Sequence, residues 1–431
     1  MSSTSASIGN SYDVLIVGGG PAGSTVATVL ARQGLRVAVC ERERFPRFHV
    51  GESLLPANLP LFERLGCAEA IRQAGFLVKP GASFFDEYEG RGGSTFTFEP
   101  TSFQPAFAYN VVRADFDHVL LKHAAQAGAA IYEQHTVRQP RVETDRVVVQ
   151  VQDPEGTWHE VQAALLVDAS GRSAVLGGSL GRREPLPDRG KVAFFAHFRG
   201  MRHDPDVPTG NIRIHLVRDG WIWWIPFADG VDSVGCVVHA RVIKERGNSA
   251  ERLFEEVLAT SARLTAALRG AQRLTAVHSV ANFSYRIVPP VGERYLAVGD
   301  ATGFLDPIFS TGVFLGMRSG ELAAEAIMQA FRQQDFRASA FLPYVTRLRQ
   351  SVAPFAAMIR RFYEPAFLDL FFSSTPPIRL YHAVLWILSG AAFDRRPFWL
   401  RRRMAVFFTV ARLRQGVRRL RGLPSASRWH W

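Results

Sequence analysis

The stretch DVLIVGGGPAGSTVATVLARQ, residues 13–33, decides the fold, because it reads as a strand, a glycine turn and a helix in succession. Asp13–Val17 is a short apolar run, and Gly18, Gly20 and Gly23 follow it in the spacing G-x-G-x-x-G. The first glycine permits a tight turn, the second lets a pyrophosphate approach the backbone, and the third allows close packing of helix on strand. The helix amino terminus adds N–H donors for phosphate.

A second apolar run, Leu35–Cys40, leads into Glu41 and completes a βαβ unit. A carboxylate at the end of that strand is suited to accept hydrogen bonds from ribose hydroxyls. This context favours nucleotide binding over a purely structural glycine turn. We assign to the nucleotide the residues Gly18, Gly20, Pro21, Ala22, Gly23, Glu41 and Arg42.

Composition indicates an ordered protein of two or three lobes, since the chain has 431 residues and is 47% hydrophobic. Its cysteines, Cys40, Cys67 and Cys236, are too few and too scattered for a disulfide framework, and the histidines show no metal-ligand spacing. The first eleven residues carry no Lys or Arg, and no apolar run approaches the roughly 20 residues of a spanning helix. We therefore predict a cytoplasmic protein without a metal.

The net charge of +12 is concentrated in an Arg-rich tail, residues 395–431, which contains no Asp or Glu. Arginines alternate there with bulky apolar residues, as in a basic amphipathic helix. Such a helix suits an anionic membrane surface or an acidic partner protein, and a surface helix that caps the fold is the alternative. We exclude nucleic acid, because no binding motif accompanies the charge.

Three further motifs are similar in order and spacing to those of hydroxylase-type FAD proteins: Arg113 with Phe116-Asp117, Asp168 with Gly171, and Gly299-Asp300. In those families the aspartate corresponding to Asp300 contacts the ribityl chain, and the arginine lies near the phosphates or the flavin edge. A helix-start arginine and a helix N-cap are the alternatives for Arg113 and Asp300.

This resemblance implies an α/β fold with a Rossmann-type FAD-binding domain of the glutathione-reductase or aromatic-hydroxylase kind. A mixed β-sheet substrate domain is interleaved with it, and a helical region ends the chain. We predict an FAD-binding domain from 1–80, 111–176 and 286–335, a β-rich domain from 81–110 and 177–285, and a helical region over 336–431.

The segment Trp221-Ile222-Trp223-Trp224-Ile225-Pro226 resembles the W-x-W-x-I-P signature of flavin-dependent halogenases. The resemblance implies that Trp221, Trp223, Ile225 and Pro226 wall a passage beside the flavin. The organic substrate is then kept from the ring while a small oxidant passes. A buried aromatic strand is the alternative reading of the same residues.

Two other segments narrow the resemblance to a smaller group of halogenases. The loop 50–56, with Gly51, Glu52 and Ser53, resembles the flavin-lining loop of halogenases that act on phenols, pyrroles or carrier-tethered substrates. The segment 304–312 matches another halogenase motif and implies cofactor contacts from Pro307 and Gly312. In that family a Ser-Thr-Gly turn, here Ser310, Thr311 and Gly312, holds the halide. Anions favour N–H and O–H donors at a helix amino terminus, although an N-cap with a glycine turn would look the same.

Lys79 occupies the place of the catalytic lysine of these halogenases relative to the Gly-Glu-Ser loop. The resemblance implies that reduced FAD and O2 form a flavin hydroperoxide, which converts chloride or bromide to hypohalous acid. The lysine then positions that acid by hydrogen bonding or forms a haloamine. A surface lysine beside a turn is the alternative.

Tryptophan halogenases have a glutamate immediately before the Ser-Thr-Gly turn, where this chain has Phe309. We therefore predict an FADH2-dependent halogenase for an electron-rich phenol or pyrrole, either free or on an acyl or peptidyl carrier protein. Since the chain has one nucleotide fingerprint, a separate flavin reductase is expected. The alternatives are an aromatic hydroxylase, a geranylgeranyl-reductase-like enzyme, or a flavoprotein without turnover that docks through its tail. The segment Trp221–Pro226 argues against a hydroxylase, because its tryptophans would obstruct access of the substrate to the flavin.

Overall fold

The computed structural model describes residues 8–100, 106–186, 190–247, 249–281, 284–372 and 384–393, with scattered helical positions between 402 and 413. The predicted basic amphipathic helix of the Arg-rich tail lies almost entirely outside these residues. In the described part of the chain, none of the helices combines the length and apolarity that a membrane crossing requires.

In chain order the strands β1 to β21 are Ser11–Val17, Val37–Glu41, Leu77–Lys79, Gly81–Asp86, Gly92–Thr97, Ala108–Asn110, Ala130–Glu133, Thr136–Val142, Val147–Gln152, Trp158–Asp168, Arg182–Pro185, Lys191–Arg199, Ile212–Val217, Gly220–Pro226, Val231–His239, Gln272–Arg273, His278–Ala281, Tyr285–Val288, Val291–Gly292, Tyr295–Ala297 and Gly303–Phe304. The helices α1 to α11 are Pro21–Arg32, Asn58–Leu65, Ala68–Gln73, Arg113–Gln126, Val175–Ser179, Ala240–Arg246, Ala250–Leu258, Ala262–Ala267, Gly312–Gln333, Ala338–Phe362 and Pro365–Phe371. Short 3-10 turns cover Gly171–Ser173, Gly299–Ala301 and Pro307–Phe309.

The first large sheet has the order β19-β20-β10-β1-β2-β7, and β1 runs parallel to both β10 and β2. Its central strand is buried from Val14 to Val17, as expected for a parallel strand covered on both faces. Helix α1 packs against α9 so closely that a Cβ at Gly320 would lie 2.8 Å from the carbonyl oxygen of Ala22. This is the predicted Rossmann-type layer, and the predicted α/β fold class is confirmed.

The second large sheet has the order β16-β12-β15-β14-β13-β4-β5, and β14 carries the tryptophan segment in its middle. Side chains alternate across a strand. Trp221, Trp223 and Ile225 therefore join the main hydrophobic core, whereas Ile222 and Trp224 pack on the other side against helices α6 to α8.

The strands of the first large sheet come from residues 11–41, 130–168 and 291–297. Those of the second come from 81–97 and 191–281, so β4 and β5 are inserted between β2 and β7 of the first sheet. This distribution supports the predicted interleaving of an FAD-binding domain with a β-rich domain. The exact domain boundaries remain a proposal.

Candidate active site

A cavity of about 830 Å³ lies between the carboxyl ends of β1 and β10 and the inner face of the second sheet. Ligands of doubly wound sheets bind at this edge. Most of the predicted site residues line it: Gly18, Gly20, Pro21, Ala22, Glu41, Arg42, Gly51, Glu52, Ser53, Arg113, Trp221, Trp223, Ile225, Gly299, Asp300, Pro307, Ser310, Thr311 and Gly312.

The glycine turn is shaped by close backbone approach. Gly18 has a φ of +105°, and a Cβ there would collide with the carbonyl of Ala169. Glu41, at the end of β2, accepts a hydrogen bond from the amide of Gly19 at 2.8 Å. Gly23 does not line the cavity, because it packs against the carbonyl of Gly18, where a Cβ would overlap. Its role is the close helix–strand packing expected of the third glycine.

Arg113 begins α4 and is held from two sides. Its guanidinium donates to both carboxylate oxygens of Asp117, at 2.7 and 2.9 Å, and to the carbonyl of Val50 at 2.8 Å. The hydrogen bond to the carbonyl of Val50 fixes the loop that carries Gly51, whose φ is +104°. Arg113 thus shapes the cavity wall as well as lining it.

Asp300 places a half-buried carboxyl on the cavity wall. Burial raises the pKa of Asp300 to about 6, while the nearby charges of Arg113 and Arg172 act in the opposite direction. Asp168, by contrast, does not line the cavity. Its carboxylate accepts from the amides of Ser170 at 3.0 Å and Leu176 at 2.8 Å. It therefore holds the turn after β10, and its predicted direct contact with the cofactor is replaced by a positioning role.

We call Trp221, Trp223 and Ile225 the indole wall, since these side chains form one face of the cavity. The two indole rings lie 5.9 Å apart. The Trp221 indole N–H donates to the hydroxyl of Tyr363 at 3.1 Å, and that of Trp223 donates to Ser233 at 3.3 Å. Pro226, also predicted for this wall, ends β14 and does not line the cavity.

We call Ser310, Thr311 and Gly312, which are predicted to hold the halide, the halide turn. It leads directly into α9, whose amino terminus faces the cavity. Ser310 has a φ of +55°, a left-handed conformation that turns the chain between the preceding 3-10 turn and the helix. The first turn of a helix presents free N–H groups and a partial positive charge, so this end of α9 is suited to an anion.

Lys79 is buried, with 2% of its surface exposed, so the alternative of a surface lysine is excluded. Its ammonium donates to the hydroxyl of Ser53 at 2.8 Å and to the carbonyl of Leu54 at 2.9 Å. Ser53 lines the cavity and Lys79 does not, so Lys79 lies directly behind the cavity wall. Burial lowers the pKa of Lys79 to about 7.

Several residues near the cavity were not predicted. His197 pairs with Glu52 at 2.7 Å, and the other carboxylate oxygen of Glu52 has no hydrogen-bond partner among the described residues. Asp306, next to the halide turn, accepts from Lys191 and Tyr363. Asp306 could have been suspected from its place inside the segment 304–312. His197, Lys191 and Tyr363 had no local signal.

These observations fit a bound FAD. In the turn from Gly18 to Gly23, which we call the glycine cradle, a Cβ at either end would collide with a backbone carbonyl, whereas a Cβ at the cavity-lining Gly20 would meet only Arg47 within 4 Å. A pyrophosphate can therefore approach the backbone at Gly20, Glu41 stands at the end of β2 where a ribose is expected, and the cavity is large enough for a dinucleotide. The partnerless oxygen of Glu52 is a further polar atom at the wall.

Comparison with known proteins identifies the class. A family model described as an FAD binding domain matches residues 11–337. The chain is therefore an FAD-dependent oxidoreductase. It is 31% identical over 407 residues to the 1H-pyrrole-2-carbonyl-peptidyl-carrier-protein chlorinase of Pseudomonas fluorescens, covering 89% of this chain and 90% of the relative. It is 33% identical over 388 residues to the corresponding brominase of Pseudoalteromonas luteoviolacea, covering 89% and 93%.

Solved structures of related flavoproteins have the same fold. A flavin-dependent brominase superposes with a TM-score of 0.81 at 30% identity, covering 93% of this chain and 100% of that one. A flavoprotein/dehydrogenase from Cytophaga hutchinsonii superposes with a TM-score of 0.85 at 26% identity, covering 94% and 98%. The chain belongs to the flavin-dependent halogenases. The predicted family, the FAD cofactor and the halogenase activity are thereby confirmed.

Proposed function

We propose that this halogenase installs chlorine or bromine on a pyrrole-2-carbonyl group carried by a peptidyl carrier protein. The single observation that carries the proposal is the burial of Lys79 directly behind Ser53, next to a cavity walled by indoles. The two curated relatives, which span nearly the whole chain, are named for chlorination and bromination of that substrate. Phe309 before the halide turn is consistent with a pyrrole, because an electron-rich ring needs no carboxylate at that position.

FAD would lie along the glycine cradle, with Glu41 at the ribose and Asp300 and Arg113 at the central part of the cofactor. When bound, reduced FAD would supply two of the four electrons that O2 takes up, and the halide would supply the other two and become hypohalous acid, with water as the second product. The surrounding residues keep bulk water and the organic substrate away from that reaction. The indole wall would contribute to this exclusion, since Trp221 and Trp223 line the cavity and are only 1% and 7% exposed.

The halide turn would hold chloride or bromide with the hydroxyls of Ser310 and Thr311 and the amide of Gly312. The charge of Asp306, which precedes this turn, is balanced by its ion pair with Lys191 at 2.8 Å. Anion binding at a helix amino terminus of this kind needs no further charge.

Lys79 would receive the oxidised halogen at the far side of Ser53 and transfer it to the pyrrole carbon. Because its pKa is lowered to about 7, much of the amine is neutral near neutral pH and has a lone pair available. The ring carbon then takes the halogen and loses a proton. Transfer from a fixed amine confines the halogen to one position on the substrate.

Two partners belong to this proposal. A separate flavin reductase supplies reduced FAD, and a carrier protein delivers the pyrrole as a thioester. The Arg-rich tail is suited to an acidic partner such as a carrier protein.

The test is a reconstituted reaction. The protein is incubated with FAD, NADH, a flavin reductase, O2, bromide or chloride, and pyrrole-2-carbonyl thioester on a peptidyl carrier protein. Mass spectrometry of the carrier should detect replacement of hydrogen by halogen. Lys79→Ala should abolish product while FAD stays bound, and Lys122→Ala, at an exposed lysine, should be fully active.

Failure of the parent protein to halogenate this carrier, with FAD reduced and O2 present, would refute the substrate assignment. NADPH oxidation by the protein alone, stimulated by an aromatic substrate, would instead identify a hydroxylase.

A further inference from the structure

A buried polar cluster joins the indole wall to the halide turn. We call Lys191, Asp306 and Tyr363 the Asp306 cluster. Asp306 is 3% exposed, and its Oδ2 accepts hydrogen bonds from the Lys191 ammonium and the Tyr363 hydroxyl, both at 2.8 Å. Its Oδ1 accepts from the amide of Ile308 at 3.1 Å. Both carboxylate oxygens are therefore occupied, which is the condition under which a buried charge is tolerated.

One end of this cluster reaches the indole wall. The Tyr363 hydroxyl that donates to Asp306 also accepts the indole N–H of Trp221 at 3.1 Å. The Lys191 ammonium lies 3.7 Å from the centre of the Tyr363 ring, so it also packs on the tyrosine face. The orientation of the Trp221 indole is thus tied through one hydroxyl to a buried ion pair.

The other end of the cluster reaches the halide turn. Asp306 caps the 3-10 turn Pro307–Phe309, which ends directly at Ser310 in its left-handed conformation. The amide of Ser310 in turn donates to the carbonyl of Pro307 at 3.0 Å. A movement of Asp306 would therefore move the halide turn.

The parts that meet here come from distant elements. Lys191 begins β12, Trp221 lies on β14, and Tyr363 directly follows α10. These elements belong to the second sheet and the helical region, whereas the halide turn opens α9 of the FAD-binding layer. The Asp306 cluster is therefore a polar tie between the wall and the turn across parts of the chain that are distant in sequence.

We infer that Lys191, Asp306 and Tyr363 are positioning residues that fix the indole wall against the halide turn. This inference rests on the proposed function, because it concerns how tightly the oxidised halide is held there. When the cluster is intact, halide binds in a preorganised turn and its oxidised form is confined by the wall. When the cluster is loosened, halide binding weakens and hypohalous acid escapes to solvent.

The test uses Tyr363→Phe, which removes the hydroxyl and keeps the packing of the ring. Tyr344→Phe is the matched control, since Tyr344 lies on α10 and also uses a buried hydroxyl, which donates to the carbonyl of Ala297 at 2.8 Å. Asp306→Asn is a second variant that keeps the acceptor for Ile308 and removes the charge. FAD content and thermal unfolding of the three variants establish that each is folded and loaded.

Three quantities are measured on the FAD-loaded proteins: the bromide KM and the kcat for total bromide oxidised, counted as brominated pyrrole plus brominated trap, and the free hypobromous acid trapped by monochlorodimedone. Tyr363→Phe should raise bromide KM about five- to tenfold with kcat nearly unchanged, and trapped hypobromous acid per FAD oxidised should rise. Asp306→Asn should do the same, and Tyr344→Phe should match the parent.

An unchanged bromide KM and unchanged escape in Tyr363→Phe, with an active parent, would overturn the inference alone. Equal effects of Tyr363→Phe and Tyr344→Phe would also overturn it, because they would indicate a general loss of stability. A parent that binds FAD but oxidises no halide would instead refute the proposed function, and the inference with it.

Discussion

We expect Lys79→Met to change the stability of the protein in a pH-dependent way, because this lysine is buried. The ammonium donates only to neutral oxygens, those of Ser53 and Leu54, and among the described residues no ion pair includes it. Burial therefore lowers its pKa from the usual 10.5 to about 7. A base with a lower pKa in the folded state destabilises that state at every pH below the unfolded pKa.

The size of the effect can be worked from these values. The penalty grows as the pH falls from 10.5 and is complete below about 7, where it amounts to roughly 5 kcal/mol. Methionine fills nearly the same volume without charge, but it leaves the carbonyl of Leu54 without a donor, at a cost of about 1–3 kcal/mol. We expect Lys79→Met to be more stable than the parent by about 2–4 kcal/mol near pH 6, with little or no gain near pH 9.5.

Urea unfolding of the apoproteins near pH 6 and pH 9.5 measures this difference. Lys191→Met is the matched control, because Lys191 is a buried lysine whose partner is a carboxylate. Its removal leaves Asp306 without its cation, so it should destabilise the protein by about 3–5 kcal/mol near pH 6. A Lys79→Met variant that is less stable than the parent near pH 6, or equally stable at both pH values, would refute the account of an unpaired buried lysine.

The remaining predictions concern the wall, the amine and the turn. Gly235→Ala should weaken FAD binding, because a Cβ at this position would overlap the Trp223 ring and push it into the cavity. Fluorescence titration measures the FAD affinity. The control is Gly178→Ala, which should bind FAD as the parent does, because a Cβ there would have no neighbour within 4 Å. Halogenated product per FAD oxidised should rise with pH through about 7 as the Lys79 amine loses its proton, and a flat or falling profile would contradict transfer through the neutral amine. Phe309→Glu should lower the urea midpoint, since Phe309 is 3% exposed and packs on the ring of Phe362. A stable variant with new activity on free tryptophan would overturn our interpretation of that position.

The parts of the fold that could be predicted are those encoded by neighbouring residues. The β1–α1–β2 unit follows from an apolar run, spaced glycines and a helical pattern within 30 or so residues. The alternation of Trp221, Trp223 and Ile225 along one strand likewise predicts a common face, and the structure places all three on the cavity wall. Sequence spacing alone could not order the strands of the second sheet.

The parts of the site that were missed depend on contacts between distant residues. Asp168 has the spacing of a cofactor ligand, but its carboxylate is used by the amides of Ser170 and Leu176 behind the wall. The pairing of His197 with Glu52 and of Tyr363 with Asp306 joins residues far apart in the chain, and no local pattern announces either. The catalytic role of Lys79 was implied by resemblance, and its burial behind Ser53 could not be derived from spacing.

The central claim is that oxidised halogen formed beside the indole wall is handed to Lys79 before it reaches the substrate. The most direct measurement is a single turnover of reduced, FAD-loaded protein with O2, bromide, the pyrrole-2-carbonyl carrier protein and monochlorodimedone. The parent should brominate the pyrrole and release little free hypobromous acid. Lys79→Met should oxidise as much bromide but deliver it to monochlorodimedone instead of the pyrrole. Bromination of the carrier-bound pyrrole by Lys79→Met at the rate of the parent would contradict the account.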